Sequence, residues 1–240
     1  MRIRTHTAAA IALLLGLGAC GGADEDTPPS GSDPFPLAVD SQWSAQFTSS
    51  MSETGTRTYE VTGTDLVDGD TAHVVADRFG ASTLVRRYVH TDTAVWRLAN
   101  DEAPIDEQSA STFLMLKLPL RAGDRWTQLD ESADSGIDVD GDGLAETLQT
   151  QAEAVVEQSG PVTTPAGRFE GAYLVTSTYR RGLVNPATGE IYEPEVESVI
   201  HEWYVPGVGR VARDRLVIPA GGWREYESTE ALSSYRLSAP

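Results

Sequence analysis

The chain has 240 residues, with 18 Lys and Arg against 36 Asp and Glu, a formal net charge of −18, 40% apolar residues and one cysteine. So acidic a chain is repelled by nucleic acid and by anionic lipid, which excludes both as general partners. A single cysteine excludes an intramolecular disulfide, a zinc ribbon and a CxxC redox site.

The first twenty residues are typical of a secretory signal peptide. Two arginines precede an uncharged apolar run at residues 8–17, which is too short for a membrane-spanning helix of about 20 residues. The run ends in Leu17-Gly18-Ala19-Cys20. These four residues resemble the bacterial lipobox, and the resemblance implies that the Cys20 thiol carries acyl chains such as palmitate. The alternative is a small-residue cleavage site followed by an incidental cysteine.

The segment after Cys20 has the composition of a flexible tether. Residues 21–36 read GGADEDTPPSGSDPFP, rich in Gly, Pro, Ser and acid. Gly21-Gly22 stand where an Asp, by family resemblance, retains lipoproteins in the inner membrane. We therefore expect a protein of the bacterial cell envelope that contacts the membrane through Cys20, at the outer membrane where the bacterium has two.

This organisation divides the chain into three parts. We predict a lipoprotein signal peptide at 1–19, a lipidated cysteine and disordered tether at 20–36, and a single mainly-β domain at 37–238. From Leu37 onward the apolar residues recur with period two, as Tyr59 and Val61 do, which indicates strands. Strands are predicted at 57–62, 71–76, 83–90, 94–98, 172–180, 196–204, 210–218 and 223–237. Asp68-Gly69 is a tight-turn signal, and residues 185–189 have the composition of a hairpin tip.

Two segments depart from this pattern. Residues 105–116 are mixed in character, which is compatible with a short helix. Leu144, Leu148, Ala152 and Val155 fall at helical spacing among good helix formers, so the residues alone favour helix and strand there about equally. The fold class is therefore all-β or mainly β, an antiparallel curved sheet forming a half-barrel or open barrel, with at most one or two short helices.

Short motifs recur along the domain. Pro36-Leu37 precedes Trp43 as Pro119-Leu120 precedes Trp126, an offset of 83 residues. This echo indicates either a duplicated half or two strands that follow the same kind of turn. Together with Pro165-Ala166-Gly167-Arg168-Phe169 and the segment Trp203–Gly209, these motifs resemble those of uncharacterised bacterial envelope lipoproteins with PLxxGxxW, PAGxF and WYxPGVG elements. They also resemble, more loosely, the DUF3108 type.

The resemblance implies a curved antiparallel sheet and favours a strand over a helix for residues 146–156, but it brings no activity or catalytic residue. Asp40 departs from the pattern because it stands where a Gly is usual. The motif residues also have a structural interpretation, in which Pro and Gly set turns and the aromatic residues fill the core.

An acidic segment has the pattern of a calcium loop. Asp138, Asp140, Asp142 and Glu146 occupy positions 1, 3, 5 and 9, Gly143 occupies position 6, and the Leu144 carbonyl falls at position 7. Position 12 is Gln149 instead of the bidentate Glu of an EF-hand. The segment is therefore either a structural Ca²⁺ site or an acidic turn between two strands.

Signatures of catalysis are missing from the sequence: it contains no GxSxG, HExxH, GxxxxGK[ST] or GxGxxG motif. His73, His90 and His201 are isolated in strand-like runs, and Glu202 points to the face opposite His201. Carboxylate pairs such as Glu193 with Glu195, or Glu195 with Glu197, lie on one strand face and could serve glycosidase-like chemistry, but coincidental pairs are expected among 36 acidic residues. We therefore do not expect an enzyme.

Three functions remain open. The first is a non-catalytic envelope lipoprotein that scaffolds or binds other envelope proteins. The second is a half-barrel carrier of an apolar ligand or lipid, with a cavity lined by Tyr88, Trp96 and Trp203, and with Trp223 in the same aromatic groove. The third is a hydrolase that uses paired carboxylates. Structural Ca²⁺ is the one cofactor suggested by the sequence.

Overall fold

The computed structural model describes residues 33–99, 112–219 and 226–239, without the side chains of residues 193–196 and 219. This part of the chain consists of strands and connecting turns. The strands are β1 (Gln42–Ser49), β2 (Thr54–Val67), β3 (Asp70–Phe79), β4 (Ser82–His90), β5 (Ala94–Arg97), β6 (Phe113–Lys117), β7 (Arg125–Asp134), β8 (Thr147–Thr164), β9 (Gly167–Val184), β10 (Ile191–Val205), β11 (Gly209–Pro219) and β12 (Tyr226–Arg236). No helix of the described residues is long and apolar enough to cross a membrane.

All twelve strands belong to one antiparallel sheet that curves into a nearly closed barrel. Its order is β6-β5-β4-β3-β2-β1-β12-β11-β10-β9-β8-β7, so two six-stranded meanders meet where β1 pairs with β12. The outer strands β6 and β7 face each other. Trp126 Nε1 donates to the Leu114 carbonyl and Gln128 Nε2 to the Met115 carbonyl, both at 3.1 Å. These side chains bridge the gap between the outer strands, and the all-strand sheet confirms the predicted all-β class.

The two ambiguous segments are mostly strand in the described part of the chain, which excludes a helix at the described residues. Ala152, Ala154 and Val156 are buried at alternate positions of β8, which pairs with β7 and β9 on its two sides. The helical spacing was therefore misleading at this point, since the buried face repeats every two residues. Residues 113–116 belong to β6, while residues 105–111 lie outside the described part.

The predicted turns occur where expected. Asp68 and Gly69 have φ values of 53° and 94°, the paired positive angles of a type I′ turn that suits the twist of β2 and β3. At the tip between β9 and β10, the Asn185 side-chain oxygen accepts hydrogen bonds from Ala187 N and Thr188 N at 2.8 and 2.9 Å. Both hairpins therefore follow from local turn chemistry.

The 83-residue echo corresponds to one turn built twice, before β1 and before β7. Asp40 N donates to Val61 O at 2.8 Å, and Gly123 N donates to Val156 O at 2.7 Å. Asp40 and Gly123 share a positive φ, of 69° and 90°. Leu37 and Leu120, the leucines of the two motifs, are both buried. The structure therefore shows the same kind of turn before both strands, which agrees with a duplicated half and with two strands that follow the same kind of turn.

The motif residues have the structural roles predicted for them. Gly167, in the turn between β8 and β9, has a φ of 133°, and Phe169 beside it is buried. Trp43 Nε1 donates to the Val208 carbonyl at 2.6 Å. A Cβ on Gly209 would lie 3.3 Å from that indole nitrogen. The first and last motifs therefore pack against each other at one end of the barrel.

The folded region extends four residues before the predicted boundary at Leu37. Asp33 O accepts a hydrogen bond from Gly207 N at 2.7 Å. The ring of Phe35 lies 5.3 Å from that of Tyr88 and 6.2 Å from that of Tyr204, between centroids. The chain therefore enters the domain by covering the barrel end formed by the first and last motifs.

Candidate functional site

The barrel interior contains a cavity of about 180 Å³. Aromatic and aliphatic side chains line one part of its wall, among them Phe35, Leu37, Trp43 and Tyr88. Because Phe35 and Leu37 belong to the segment that covers the barrel end, the start of the folded chain forms part of the cavity wall. The rest of the wall carries charged and polar groups that point inward from strands of both six-stranded halves.

Asp77 anchors the charged groups of the first half. Arg57 donates from Nε and Nη2 to the two carboxylate oxygens of Asp77, each at 2.7 Å, and Arg86 Nη2 donates to the same carboxylate at 3.2 Å. Asp77 is only 3% exposed. Such a two-pronged guanidinium–carboxylate bond is the geometry that best offsets the cost of burying both charges.

Glu230 on β12 joins the two halves. Its carboxylate accepts from Arg57 Nη1 of β2 and from Arg210 Nη2 of β11, both at 3.2 Å. The Tyr59 hydroxyl also donates to it. Glu230 is 5% exposed. A single buried carboxylate therefore connects strands that lie on both sides of the β1–β12 junction.

Glu202 on β10 completes the network. It accepts from Arg210 Nη1 at 2.7 Å and from the Tyr204 hydroxyl at 2.9 Å. Arg213 approaches both Glu202 and Glu230 at 3.6 Å, which is an ion-pair contact too long for a hydrogen bond. Arg213 is therefore more loosely held by these carboxylates than Arg210 is.

The pKa values of Glu202 and Glu230 are lowered, so both carboxylates are ionised at neutral pH. Burial alone would raise the pKa of Glu230, but the positive charges of Arg210, Arg213 and Arg57 outweigh it and bring the pKa from its ordinary 4.5 to about 2. Burial likewise opposes ionisation of Glu202, and Arg210 with Arg213 still lowers its pKa. Burial raises the pKa of Tyr59, so its hydroxyl keeps the proton that it donates to Glu230.

The cavity wall carries an excess of positive charge. Five arginines line it, against two carboxylates: Arg86, Arg97, Arg210, Arg213 and Arg215 with Asp77 and Glu202. Adding the hydrogen-bonded Arg57 and Glu230 gives six arginines and three carboxylates among the described residues. The sign is opposite to that of the whole chain, whose net charge is −18. The interior is therefore electrostatically distinct from the rest of the molecule.

The aromatic lining differs from the prediction. Tyr88 lines the cavity as expected, but Trp96 and Trp203 do not, and Trp43 takes their place. Strand alternation explains this, since the neighbouring Arg97 and Glu202 occupy the inward positions of β5 and β10. Trp203 instead faces His201, with ring centroids 6.3 Å apart. Trp223 lies outside the described residues.

The acidic loop between β7 and β8 brings together three of its five predicted ligands. One carboxylate oxygen each from Asp138, Asp140 and Glu146 lies within 4.8 Å of the others. Asp142 is not in this group, and its carboxylate accepts from Leu144 N at 2.8 Å. The Leu144 side chain is exposed. The flanking strands exclude the helix–loop–helix of an EF-hand, in agreement with the sequence.

Among the described side chains, the three histidines and Glu197 do not line the cavity. His90 Nε2 contacts Asp33 Oδ1 at 3.2 Å, and burial lowers the pKa of His73. His201 and Glu202 lie on opposite faces of β10, as predicted. Glu197 accepts from Arg180 at 3.2 Å on the exposed surface, whereas the side chains of residues 193–196 lie outside the described part, as does Cys20.

The buried arginine network was not predicted from the sequence. The sequence feature that could have indicated it is a charged residue at every second position of a predicted strand, as in Arg213 and Arg215 on β11. That pattern is equally typical of a solvated face, and only closure of the barrel shows that it points inward.

Comparisons with known proteins give structural likenesses only. No family model and no curated protein matches the sequence. One solved structure similar to this chain is a protein from Bacteroides fragilis, described as exported and as having a YmcC-like fold. It has 17% identity and a TM-score of 0.42, and the match covers 85% of this chain and 98% of that one. A second similar structure is described as a lipoprotein from Parabacteroides distasonis. It has 12% identity and a TM-score of 0.42, and the match again covers 85% of this chain and 98% of that one.

Proposed function

We propose that the protein is a lipid-anchored, non-catalytic binding protein of the bacterial cell envelope whose barrel interior takes up a small amphiphilic anion. The observation that carries the binding role is the cavity wall, which combines apolar and aromatic side chains with an excess of arginine. A ligand with an apolar body and a carboxylate or phosphate group complements both parts of this wall.

Charge supports an anion over a neutral ligand. Guanidinium groups bind carboxylates and phosphates through charge-assisted, often paired hydrogen bonds. In a desolvated interior such bonds are stronger than in water. Arg213 is well placed to contribute one, because its contacts with Glu202 and Glu230 are both 3.6 Å long.

Size supports a small ligand over a lipid. The cavity of about 180 Å³ is below the roughly 300–1,000 Å³ of drug-sized sites. It is slightly larger than an engineered apolar cavity of about 150 Å³ that binds benzene. A medium-chain or aromatic carboxylate matches this volume, whereas a long acyl chain exceeds it unless the covering segment at residues 33–37 moves.

Chemistry supports a binding role over catalysis. The cavity-lining Ser177 and Ser198 have no histidine beside them among the described lining residues. The pKa values of Glu202 and Glu230 are lowered, away from the neutral range in which a general base operates. Asp77 is held by two arginines. These groups are suited to holding charge in place instead of transferring protons.

The lipid anchor rests on the sequence before the domain. The apolar run and Leu17-Gly18-Ala19-Cys20 support acylation at Cys20, and several acyl chains give stable anchoring. Gly21-Gly22 favour the outer membrane. Metabolic labelling with palmitate tests this directly: we expect incorporation by the protein and none by Cys20→Ala. Labelling of both, or of neither, would overturn the anchor.

Three ligands with different charge and length test the binding role on the purified protein. Octanoate combines an anionic group with a short tail, octanol lacks the charge, and palmitate has a longer tail. We expect a saturable rise in melting temperature with octanoate, of about 5–10 °C at a hundredfold excess over Kd. Octanol and palmitate should give much smaller shifts. Arg213→Gln should weaken octanoate binding, while the matched control Arg168→Gln, on the exposed surface, should not.

The contrary outcomes separate the alternatives. Equal stabilisation by octanol and octanoate would show that the cavity does not recognise charge. A preference for palmitate would establish the acyl-chain carrier instead. Failure of all three ligands would leave a scaffold with a self-filled interior. Since these comparisons use the unmodified protein, they are decisive even when Arg213→Gln does not fold.

A further inference from the structure

We propose that the loop between β7 and β8 binds one Ca²⁺ ion through Asp138, Asp140 and Glu146, independently of the cavity and of the function proposed for it. The three carboxylates each offer an oxygen within 4.8 Å of the other two. Oxygens that bind one Ca²⁺ at about 2.4 Å are at most about 4.8 Å apart. The cluster therefore has the dimensions of a single-ion site.

Glu146 is a buried carboxylate with one oxygen that a bound cation would satisfy. It is 1% exposed, and one carboxylate oxygen, Oε2, accepts from Val139 N at 2.8 Å. The other, Oε1, is buried and has no hydrogen-bond partner among the described residues. A buried carboxylate oxygen that is left without a hydrogen-bond partner is costly. A cation bound beside Asp138 and Asp140 would satisfy that oxygen.

The surroundings supply no other compensating charge. Asp138 accepts from Gly141 N and Gly143 N at 2.7 and 3.0 Å, which are neutral donors. Within the described part of the chain, no Lys or Arg forms an ion pair with any of the three carboxylates. Three negative charges at this separation repel one another. A divalent cation removes that repulsion.

A neighbouring loop holds the site in place. Asp140 Oδ2 accepts from the Tyr192 hydroxyl at 2.7 Å and from Asn185 Nδ2 at 2.8 Å. Asn185 is 3% exposed and organises the hairpin tip between β9 and β10. The Asp140 carboxylate therefore has a fixed orientation before any ion binds, and binding would join two loops at one end of the barrel.

The donor set favours Ca²⁺ among biological cations. All three groups are hard carboxylate oxygens, which suit Mg²⁺, Ca²⁺ and Mn²⁺ and not softer metals. Mg²⁺ requires near-ideal octahedral geometry and keeps several waters, whereas Ca²⁺ accepts irregular sets of six to eight oxygens. Further oxygens would come from loop carbonyls and water. Sites of extracellular modules bind Ca²⁺ with a Kd of about 0.1–1 mM.

Calorimetric titration of the EDTA-treated protein with CaCl₂ tests the site, with MgCl₂ and ionic-strength-matched NaCl as comparisons. We expect one Ca²⁺ per chain, a melting temperature that rises with Ca²⁺, and weaker or no response to Mg²⁺ and NaCl. Glu146→Gln and Asp138→Asn should each weaken Ca²⁺ binding by at least about tenfold. Asp142→Asn makes the same change of charge in the same loop, outside the group, and should weaken it much less.

Two results would overturn the proposal. One is the absence of saturable Ca²⁺ heat in the unmodified protein up to about ten times the upper Kd expected for such sites. The other is equal weakening by Asp142→Asn and Asp138→Asn, since that would indicate attraction by the loop's charge as a whole. Both measurements remain available when Glu146→Gln does not fold, because Asp138 is exposed. Neither depends on octanoate binding.

Discussion

Glu230→Gln removes the charge that joins the two halves of the barrel while it preserves the shape of the side chain. Glu230 is 5% exposed and receives hydrogen bonds from Arg57, Arg210 and Tyr59. Removing one partner from a buried ion pair costs about 3–5 kcal/mol. For a domain of this size we expect a fall in melting temperature of about 6–20 °C at pH 7.

The pKa of Glu230 gives a second estimate of how much this carboxylate contributes to the free energy of unfolding. Its fall from 4.5 to about 2 corresponds to a stabilisation of about 3 kcal/mol. Because the folded pKa is the lower one, this stabilisation is complete above about pH 5 and is lost as the pH falls towards 2. About 2 kcal/mol of it is gone at pH 3. The difference between the unmodified protein and Glu230→Gln should therefore narrow by that amount between pH 7 and pH 3.

Calorimetric melting at pH 7, 5 and 3 measures both effects. Glu227→Gln is the matched control, since Glu227 lies on the same strand and is exposed, and its substitution should change stability by less than about 0.5 kcal/mol. Equal melting temperatures of the two variants at pH 7 would contradict a stabilising role for the Glu230 charge. A loss of stability in Glu230→Gln that is the same at pH 7 and pH 3 would contradict the lowered pKa of Glu230.

Two further predictions concern the backbone, and chemical denaturation measures both. Asp40→Gly should stabilise the protein by up to about 1 kcal/mol, because Asp40 has a φ of 69° that glycine adopts without strain. Gly123→Asp in the equivalent turn should destabilise the protein. A loss of stability in Asp40→Gly would instead show that the aspartate side chain stabilises its turn. Gly55→Ala should destabilise by about 1–3 kcal/mol, since its Cβ would lie 2.9 Å from the ring of Phe79. Gly63→Ala, with open space around its Cβ, should cost less than about 0.5 kcal/mol, and equal losses would contradict the steric explanation.

Local chemistry was sufficient to predict much of the fold. Period-two patterning located most strands because one face of each is buried, and Asp68-Gly69 predicted its turn because both residues tolerate positive φ. The helical spacing at residues 144–155 was misleading because Ala, Glu and Gln also occur in a strand when both neighbours pair with it. In β8 the ladders with β7 and β9 override helix propensity.

The candidate site was harder to predict from the sequence than the fold, for a physical reason. An arginine at alternate strand positions has the same local pattern whether it faces solvent or the barrel interior. What distinguishes the two is a charged partner that is distant in sequence, as Arg57 is 173 residues from Glu230. The acidic loop was easier to predict because its ligands lie within nine residues of sequence. Even for this loop, only the fold shows that Glu146 is buried and that Asp142 lies outside the group of three carboxylates.

The two halves of the barrel share the turn before their first strand but are joined to each other in two different ways. The turns before β1 and β7 form equivalent backbone hydrogen bonds, from Asp40 to Val61 and from Gly123 to Val156. The junctions that these strands form with the other half differ: β1 pairs with β12 through backbone bonds, whereas β7 reaches β6 through Trp126 and Gln128 side chains. The buried network crosses the first junction, where Arg57 of one half binds Glu230 of the other. The first junction is therefore held by both backbone bonds and buried charges, and loss of the Glu230 charge should weaken the contact between the two halves there.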